Sequence, residues 1–420
     1  MGVPGVLQVP AFRRFWLASL ASNAGSWLQV VGAGWLIYDL THSPAAVGAL
    51  ALVARAPALV LSGYAGQLAD RFDRRSVGLV TFTLQGVGAG SLAVLSALDL
   101  ATPPVIYAAT FLVGIGFALG LPAMLALVGV LAGRARLPEA IALNAAGINV
   151  ARLAGPTIGG FILFLGGPTV CFALNALSFL TLIVVLLGMH PFQPAAPGSR
   201  ARLSEAFRHA AHDPAPRRLL VGMAIFAALA APTQELVPVV AANLGAGQVG
   251  LGLLLGAMGG GALFGAWLLN RLGNAGYPRH HALPVATTAF AVAMAVLALA
   301  PDYGIALAAM FAGGVFWIWM FIATNAAIQL RSPPNLLGRM LGLYQLAVLG
   351  PIAIGAQAAG VLAELVGIRA SLAMCAALLG AWGLWSLTHR VPQIDGIAAP
   401  AGRGLREGIL ARRHRPRRNG

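Results

Sequence analysis

Three ionisable residues, Arg55, Arg152 and Glu235, stand inside long apolar segments of the sequence. An unpaired charge in the middle of a bilayer costs on the order of 3 kcal/mol, so such residues usually pair, bind ligands or carry protons. Glu235 lies between Pro232 and Pro238, which should distort a helix and expose its backbone to a cavity. Because apolar surroundings favour the neutral form of a carboxyl group, Glu235 is our first candidate for proton coupling.

Two other roles for Glu235 stay open at this point. The residue could lie near the water layer at the membrane surface, or it could do no more than neutralise an arginine. Asp39 and Glu364 are weaker candidates for proton coupling, because they lie close to the ends of their apolar segments. Arg55, in contrast, lies midway along its segment, and Arg152 is also well inside its own.

Two further groups of residues suggest a binding cavity. The first is a polar series in the first apolar segment, namely Ser19, Asn23, Ser26 and Gln29. Three of these share one helical face, which is expected to line a cavity, although small polar residues also hold helices together in lipid. The second is a mixed aromatic face formed by Trp317, Phe321 and Thr324. This face could contact an amphipathic, ring-containing ligand or pack in the core.

The composition shows what kind of element must carry these residues. Of 420 residues, 59% are hydrophobic and only 9% are charged, whereas about 25% are charged in a soluble domain. Apolar runs of about twenty residues, long enough to cross a bilayer, recur along the chain. Such long continuous runs indicate helices and not the strands of a barrel. We therefore predict an all-α membrane protein.

Turn signals divide the apolar runs into about twelve transmembrane helices in two six-helix, pseudo-symmetric bundles. The bundles cover 1–189 and 218–388, with a linker at 190–217 and a basic tail at 389–420. The linker should contain one short amphipathic helix at about 203–211. The predicted spans are 15–38, 44–69, 76–98, 103–127, 139–164, 169–189, 218–240, 249–269, 282–300, 303–328, 339–363 and 370–388.

The charge distribution predicts the orientation in the membrane. The formal net charge is +15, and every Lys or Arg position is an arginine. These arginines gather in alternate loops and in the tail, and Arg369 is the one clear exception. By the positive-inside rule, both termini and the arginine-bearing loops are cytoplasmic, in a multi-pass protein of the cell (inner) membrane. We call the side of these loops the arginine-loop side. The loop residues are Arg71, Arg74, Arg75, Arg134, Arg136, Arg271, Arg279, Arg331 and Arg339.

An ordered motif follows the second predicted span, Gly66-Gln67-Leu68-Ala69-Asp70-Arg71-Phe72-Asp73-Arg74-Arg75. It resembles the signature loop of the major facilitator superfamily, in the form seen in the branch that includes bacterial enterobactin exporters. In that family the glycine admits a neighbouring helix, while the acid and first arginine join a charge relay that holds the cytoplasmic side shut. The resemblance gives these roles to Gly66, Asp70, Arg71, Arg74 and Arg75. Alternatively, the arginines only fix topology.

The segment Gly155-Pro156-Thr157-Ile158-Gly159-Gly160 resembles the antiporter motif of the same superfamily. Proline removes one backbone hydrogen bond, and the glycines leave a pliable stretch that suits a bending helix. The resemblance rests on Gly155, Pro156, Gly159 and Gly160, and it favours export. A kinked helix with a purely structural role is the alternative, since Ala151 and neighbouring residues stand where the family has its upstream glycines.

Together these features predict a secondary transporter that exports a small amphipathic organic molecule, such as a drug, siderophore or secondary metabolite. Transport would be coupled to protons and proceed by alternating access. An importer or lipid flippase of the same fold is one alternative, and a transport-inactive membrane scaffold or receptor is another. The expected partners are the substrate, protons and membrane lipid. The oligomeric state is open, with a monomer favoured.

Several functions are not expected. A nucleotide-binding loop of the Walker type needs a lysine, and the sequence contains none. Neither metal-ligand spacing nor paired catalytic carboxylates occur, so we expect no enzyme activity, no metal and no cofactor. The alternating arginines account for the basic charge, so a nucleic-acid partner is not expected either. Cys171 and Cys375 lie in apolar segments, so we expect them to be buried and to pack like apolar side chains.

Overall fold

The computed structural model describes residues 5–190, 203–274, 279–333 and 336–388, and every regular element in these ranges is helical. The predicted tail at 389–420 and linker residues 191–202 lie outside the described residues. The α-helices are α1 (Pro10–Thr41), α2 (Pro44–Arg71), α3 (Arg74–Ala97), α4 (Pro103–Ala132), α5 (Leu137–Leu187), α6 (Leu203–His212), α7 (Pro214–Ala230), α8 (Pro232–Glu235), α9 (Val237–Asn243), α10 (Gly247–Asn274), α11 (Arg279–Leu299), α12 (Tyr303–Arg331), α13 (Leu337–Val366) and α14 (Ile368–Thr388).

Within the described ranges, 9 helical stretches are long and apolar enough to cross a membrane. One of them, Arg134–Leu187, is 54 residues long. Inside it the backbone of Gly167 is not helical, with φ 69° and ψ −176°, a region that is open essentially to glycine alone. The break falls between the predicted span ends at 164 and 169, so α5 consists of two helical segments.

Helix starts follow local capping signals in the sequence. Ser43 accepts a hydrogen bond from the backbone N–H of Ala46 at the start of α2, and Asp302 caps α12 in the same way. Asp213 caps α7, which therefore begins at Pro214. The helix thus begins four residues before 218, the first residue after the predicted linker. The linker helix α6, in contrast, lies close to its predicted position.

The predicted seventh span is broken where its prolines stand. Helix α7 ends at Ala230, α8 covers one turn up to Glu235, and α9 begins at Val237. The backbone of Leu236, between α8 and α9, has φ −98° and ψ 15°. Because a proline lacks the N–H that an uninterrupted helix needs, Pro232 and Pro238 each stand at the start of a new segment. The distortion expected from the sequence is confirmed.

The packing of the helices connects two sets, the N-terminal helices (α1–α5) and the C-terminal helices (α7–α14). In the first set α1 packs on α5, α3 packs on α4 and α5, and α2 packs on α4. In the second, α10 packs on α12, α11 on α12 and α14, and α13 on α7. The main contacts between the two sets are those of α2 with α13 and α5 with α10.

The contact between α5 and α10 depends on glycine. A Cβ atom placed on Gly160 would lie 2.3 Å from the Cα atom of Gly252. A Cβ atom on Gly256 would lie 1.9 Å from Oγ1 of Thr157. The two backbones therefore touch directly, as small residues allow in helix pairs within lipid.

The contact between α2 and α13 is built in the same way. A Cβ atom on Gly48 would lie 2.6 Å from the carbonyl oxygen of Ala356, and one on Gly360 would lie 2.6 Å from that of Pro44. These residues belong to the first turns of α2 and the last turns of α13, away from the arginine loops. We call this side of the protein the opposite side.

We expect Gly160→Ala to lower the apparent unfolding temperature of the purified protein. The added methyl group would force α5 away from α10, and overpacking of this kind costs about 1–3 kcal/mol. Gly90→Ala is the matched control, because its Cβ atom would lie at an ordinary 3.8 Å from Cβ of Ala176. Both variants gain the same helix propensity, so equal unfolding temperatures would contradict the close contact.

Candidate functional site

The side chains of Arg55 and Glu235 meet between the two sets of helices, and we call them the central ion pair. Arg55 lies roughly 16 Å along the axis of α2 from Pro44, near the middle of the helix. Its Nη2 donates to Oε1 of Glu235 at 2.5 Å and its Nη1 donates to Oε2 at 3.2 Å. Nη1 also donates to the carbonyl of Ala51 at 3.2 Å.

The central ion pair is a two-pronged contact with little access to solvent. The exposed fraction is 24% for the side chain of Arg55 and 10% for that of Glu235. A guanidinium and a carboxylate held in this fork neutralise one another's charge and share two charge-assisted hydrogen bonds. The break between α8 and α9 places Glu235 at the end of a turn facing α2. Of the two alternatives left open above, neutralisation of an arginine therefore describes part of what Glu235 does.

Arg152 does not join the central ion pair. Its side chain is exposed on α5, and it lies near Tyr344 of α13. Within the described part of the chain, Arg152 makes no hydrogen bond or ion pair. The three ionisable residues singled out from the sequence thus form one pair and one separate guanidinium.

A second polar contact joins the two sets of helices on the opposite side. Oε2 of Glu364 accepts from Oγ of Ser43 at 2.7 Å and from the backbone N–H of Ala45 at 3.2 Å. Ser43 and Glu364 are 321 residues apart in sequence. The serine is recognisable as a helix cap next to Pro44, but nothing in the sequence indicates its partner. Glu364, which we considered for proton coupling, here binds the start of α2.

Two residues of the motif after α2 contact other N-terminal helices or cap one of them. Nε of Arg75 donates to the carbonyl of Leu186 at 2.7 Å, and Asp73 caps α3 by accepting from the backbone N–H of Ser76 at 3.0 Å. Among the described residues, no atom lies within 4 Å of a Cβ atom added to Gly66. The side chain of Asp70 lies outside what the structure describes. Arg71 is exposed and Arg74 is half-buried.

The sides of the molecule therefore differ. The contacts of Gly48, Gly360, Ser43 and Glu364 close the opposite side. At Gly66, near the arginine-loop side, no described residue makes such a contact.

The antiporter-like motif is a packing surface with two neighbours. A Cβ atom on Gly155 would lie 2.7 Å from Cβ of Trp27 in α1, and one on Gly159 would lie 3.3 Å from Cγ2 of Val31. Gly160 faces α10, as described above. Helix α5 continues through Pro156 without a break. The motif thus holds α5 against α1 within the first set of helices and against α10 in the second.

The polar series of α1 divides into two environments. Ser19, Asn23 and Ser26 are half-buried, and Nδ2 of Asn23 donates to the carbonyl of Ser19 at 2.8 Å. Gln29 is only 5% exposed, and its Oε1 accepts a hydrogen bond from Asn175 in the second segment of α5. Gln29 therefore belongs to helix packing, which corrects its expected place on a cavity wall. The other three keep their accessible face.

The aromatic face of α12 packs in the core of the C-terminal helices. Trp317 stacks on Phe321 with ring centroids 5.1 Å apart, and its ring also contacts Phe226 at 5.6 Å and Phe290 at 5.8 Å. Trp317 is 8% exposed and Thr324 is fully buried at 0%. The burial of these two residues corrects the prediction that they contact a ligand. The same helical spacing occurs in a ligand-binding face and in a tightly packed aromatic core. Phe321 is half-buried.

No metal site is apparent in the described ranges, where no group of three or more His, Cys, Asp and Glu residues could hold an ion. The features that remain are apolar helices of membrane-spanning length, close contacts between two sets of helices, and an ion pair between them. Such an arrangement defines a multi-pass membrane transporter.

The family follows from the match to known sequences. A family model described as transmembrane secretion effector matches residues 5–419, and the chain belongs to this family of the major facilitator superfamily. It is similar to the enterobactin exporter EntS of Salmonella choleraesuis (strain SC-B67), with 29% identity over 365 residues, covering 84% of this chain and 85% of the relative. The chain is thus a transporter of the inner membrane and not an enzyme.

Solved structures show the same fold. A POT family transporter in complex with 5-aminolevulinic acid has a TM-score of 0.75 at 14% identity, covering 94% of this chain and 98% of that one. The D323A mutant of the nucleoside transporter NupG has a TM-score of 0.71 at 14% identity, covering 90% of this chain and 99% of that one. At this identity the likeness establishes the fold and leaves the substrate undefined.

A double-mutant cycle should detect the central ion pair. We expect Arg55→Gln and Glu235→Gln each to lower the unfolding temperature, because each leaves one charge unpaired, and the double variant to recover part of the loss. The coupling should be about 0.5–3 kcal/mol, as for contacting residues in one network.

The ion pair of Glu205 and Arg339 serves as the matched control for this cycle. Its side chains are 45% and 21% exposed, so its coupling should stay below about 1 kcal/mol. Strictly additive effects of the Arg55 and Glu235 substitutions would contradict the described contact.

Proposed function

We propose that this protein exports a small amphipathic organic molecule, such as a drug, siderophore or secondary metabolite, in exchange for protons by alternating access. The curated relatives are named as enterobactin exporters, which supports export as the direction. The observation that carries the proposal is the central ion pair, because it joins the two sets of helices through a group that a proton can neutralise.

The proposed architecture has twelve crossings in two six-helix bundles, 1–189 and 218–388, with both termini cytoplasmic. Several features support it. The stretch Arg134–Leu187 has enough residues for two crossings and breaks at Gly167. Two further helical segments are not among the nine stretches but coincide with predicted spans. They are α1 and the apolar part of α11, Leu283–Leu299. The packing within each set of helices exceeds the packing between them.

Alternating access requires the two sets of helices to separate on one side while closing on the other. The contacts of Gly48, Gly360, Ser43 and Glu364 close the opposite side. The loop that begins at Gly66 would close the arginine-loop side in the other conformation, with Asp70, Arg71, Arg74 and Arg75 in the charge relay of the family. Direct backbone contacts suit such a movement, since few interlocked side chains must rearrange.

The proton would act through Glu235. When the carboxyl group is ionised, its attraction to Arg55 holds α8 against α2. Protonation removes the negative charge and weakens this attraction, so it lowers the stability of the conformation that contains the pair relative to the other one. A ligand shifts a conformational equilibrium only by its differential affinity for the two states. Loss of the negative charge would therefore favour the state in which the pair is broken.

Locking the opposite side should stop transport. In Ser43→Cys/Glu364→Cys the two thiols replace side chains that now lie in hydrogen-bond contact. We expect oxidation to abolish enterobactin efflux from cells and reduction to restore it, because the contact can then no longer open. Each single variant is the control, and the native Cys171 and Cys375 are buried. Unchanged efflux by the cross-linked protein would contradict alternating access through this contact.

Glu235→Gln should uncouple transport from the proton gradient. In inside-out vesicles with an imposed gradient, we expect accumulation of enterobactin to fall at least about tenfold, since glutamine cannot exchange a proton. Glu205→Gln is the control, because Glu205 also pairs with an arginine but lies in the linker helix α6. Full gradient-driven accumulation by Glu235→Gln would remove Glu235 from the coupling, and accumulation only in right-side-out vesicles would reverse the direction.

A further inference from the structure

Arg152 is a guanidinium inside a membrane-spanning helix for which the described residues offer no counter-ion. It lies roughly 22 Å along α5 from Leu137, the first residue of the helix on the arginine-loop side. Arg55, at a comparable depth, is neutralised by Glu235. A charge at such a depth is costly unless it is paired or hydrated. Because no described residue pairs with Arg152, a partner from outside the protein could neutralise it.

Exposure in a membrane protein can mean contact with lipid, but the helical face of Arg152 places it between the two sets of helices. Gly160, Pro156 and Arg152 follow one another at intervals of four residues and therefore share one face of α5. The first two contact Gly252 of α10. Arg152 continues this face by one turn toward the arginine-loop side.

The position of Tyr344 supports the same placement. Tyr344 belongs to α13, in the C-terminal helices, and is 3% exposed. Its hydroxyl group donates to the carbonyl of Phe321 at 3.4 Å. Since Arg152 lies near Tyr344, its side chain is directed toward the second set of helices. The guanidinium thus stands between the two sets, in a space that we call the gap, on the arginine-loop side of Gly160.

We propose that Arg152 binds an anionic group of the transported molecule, a carboxylate or a group of similar shape, while the gap is open toward the arginine-loop side; this rests on the transport function proposed above. A guanidinium presents a planar fork of donors that matches the two oxygens of a carboxylate. In the partly desolvated gap that interaction is stronger than in water. Selection would thus favour amphipathic acids over their neutral analogues.

The test compares an acid with its amide, using full-length protein in phosphatidylcholine nanodiscs. The probes are 1-naphthoate and 1-naphthamide, which differ in charge and hardly in shape, and binding is followed by quenching of tryptophan fluorescence. We expect the acid to bind at least about tenfold more tightly than the amide, as a charge-assisted fork contact allows.

Three variants assign this preference to one residue. Arg152→Gln should bring the two affinities to within about twofold of each other while leaving amide binding intact, which also shows that the variant is folded. Arg152→Lys should retain part of the preference, because it keeps the charge and loses the fork. Arg136→Gln, at an exposed position, should keep the full preference. Equal binding of acid and amide to the unaltered protein, weak or absent binding included, overturns the proposal, as does a preference that survives Arg152→Gln.

Lipid phosphate could supply the same chemistry, so the measurement is repeated in phosphatidylglycerol nanodiscs. A preserved preference for the acid supports binding of the transported molecule, whereas its loss assigns the guanidinium to lipid and overturns the proposal. The outcome is separable from that of the transport assays. An acid preference that depends on Arg152 would stand even if vesicles accumulated nothing, and active transport without this preference would remove only the anionic substrate.

Discussion

The hydrocarbon interior of a membrane penalises an isolated charge by on the order of 3 kcal/mol or more, and the central ion pair answers this constraint within the protein. Arg55 comes from α2 and Glu235 from α8, so neither charge can be satisfied unless the two sets of helices are in contact. The broken seventh span is part of the same arrangement. Its interruption at Leu236 places the carboxylate at a helix end, where both oxygens reach the guanidinium.

Around this pair, the two sets of helices meet through backbone. The glycines of α5 and α10 and those at the ends of α2 and α13 leave no room for a Cβ atom. Contacts of this type hold by close van der Waals approach. Directional interactions between the two sets add to them, namely the central ion pair and the hydrogen bonds from Ser43 and Ala45 to Glu364.

The patterns of polar and aromatic residues fitted two interpretations, a cavity wall or packing between helices. The burial of the side chains decided between the two. Gln29 lies one turn beyond a polar face, yet its amide is paired with Asn175 between two helices. Trp317 and Thr324 have the spacing of a ligand-binding face but are enclosed by other side chains. Helical spacing shows which residues share a face, whereas the neighbour of that face depends on how the whole bundle packs. Arg152 is the converse case, since its side chain is exposed although the next turns of the same face pack on α10.

The sequence alone determined the helical, membrane-spanning character, most helix boundaries and the broken seventh span. These features depend on apolar length, capping residues such as Ser43 and backbone restrictions at Pro232, Pro238 and Gly167, all of which act within a few residues. The motif after α2 likewise indicated the superfamily. Only the tertiary structure decided that Glu235 pairs with Arg55, 180 residues away, and that Arg152 remains unpaired among the described residues. Pairing between residues so far apart in sequence depends on how the helices pack in three dimensions, and this packing cannot be inferred from local sequence patterns.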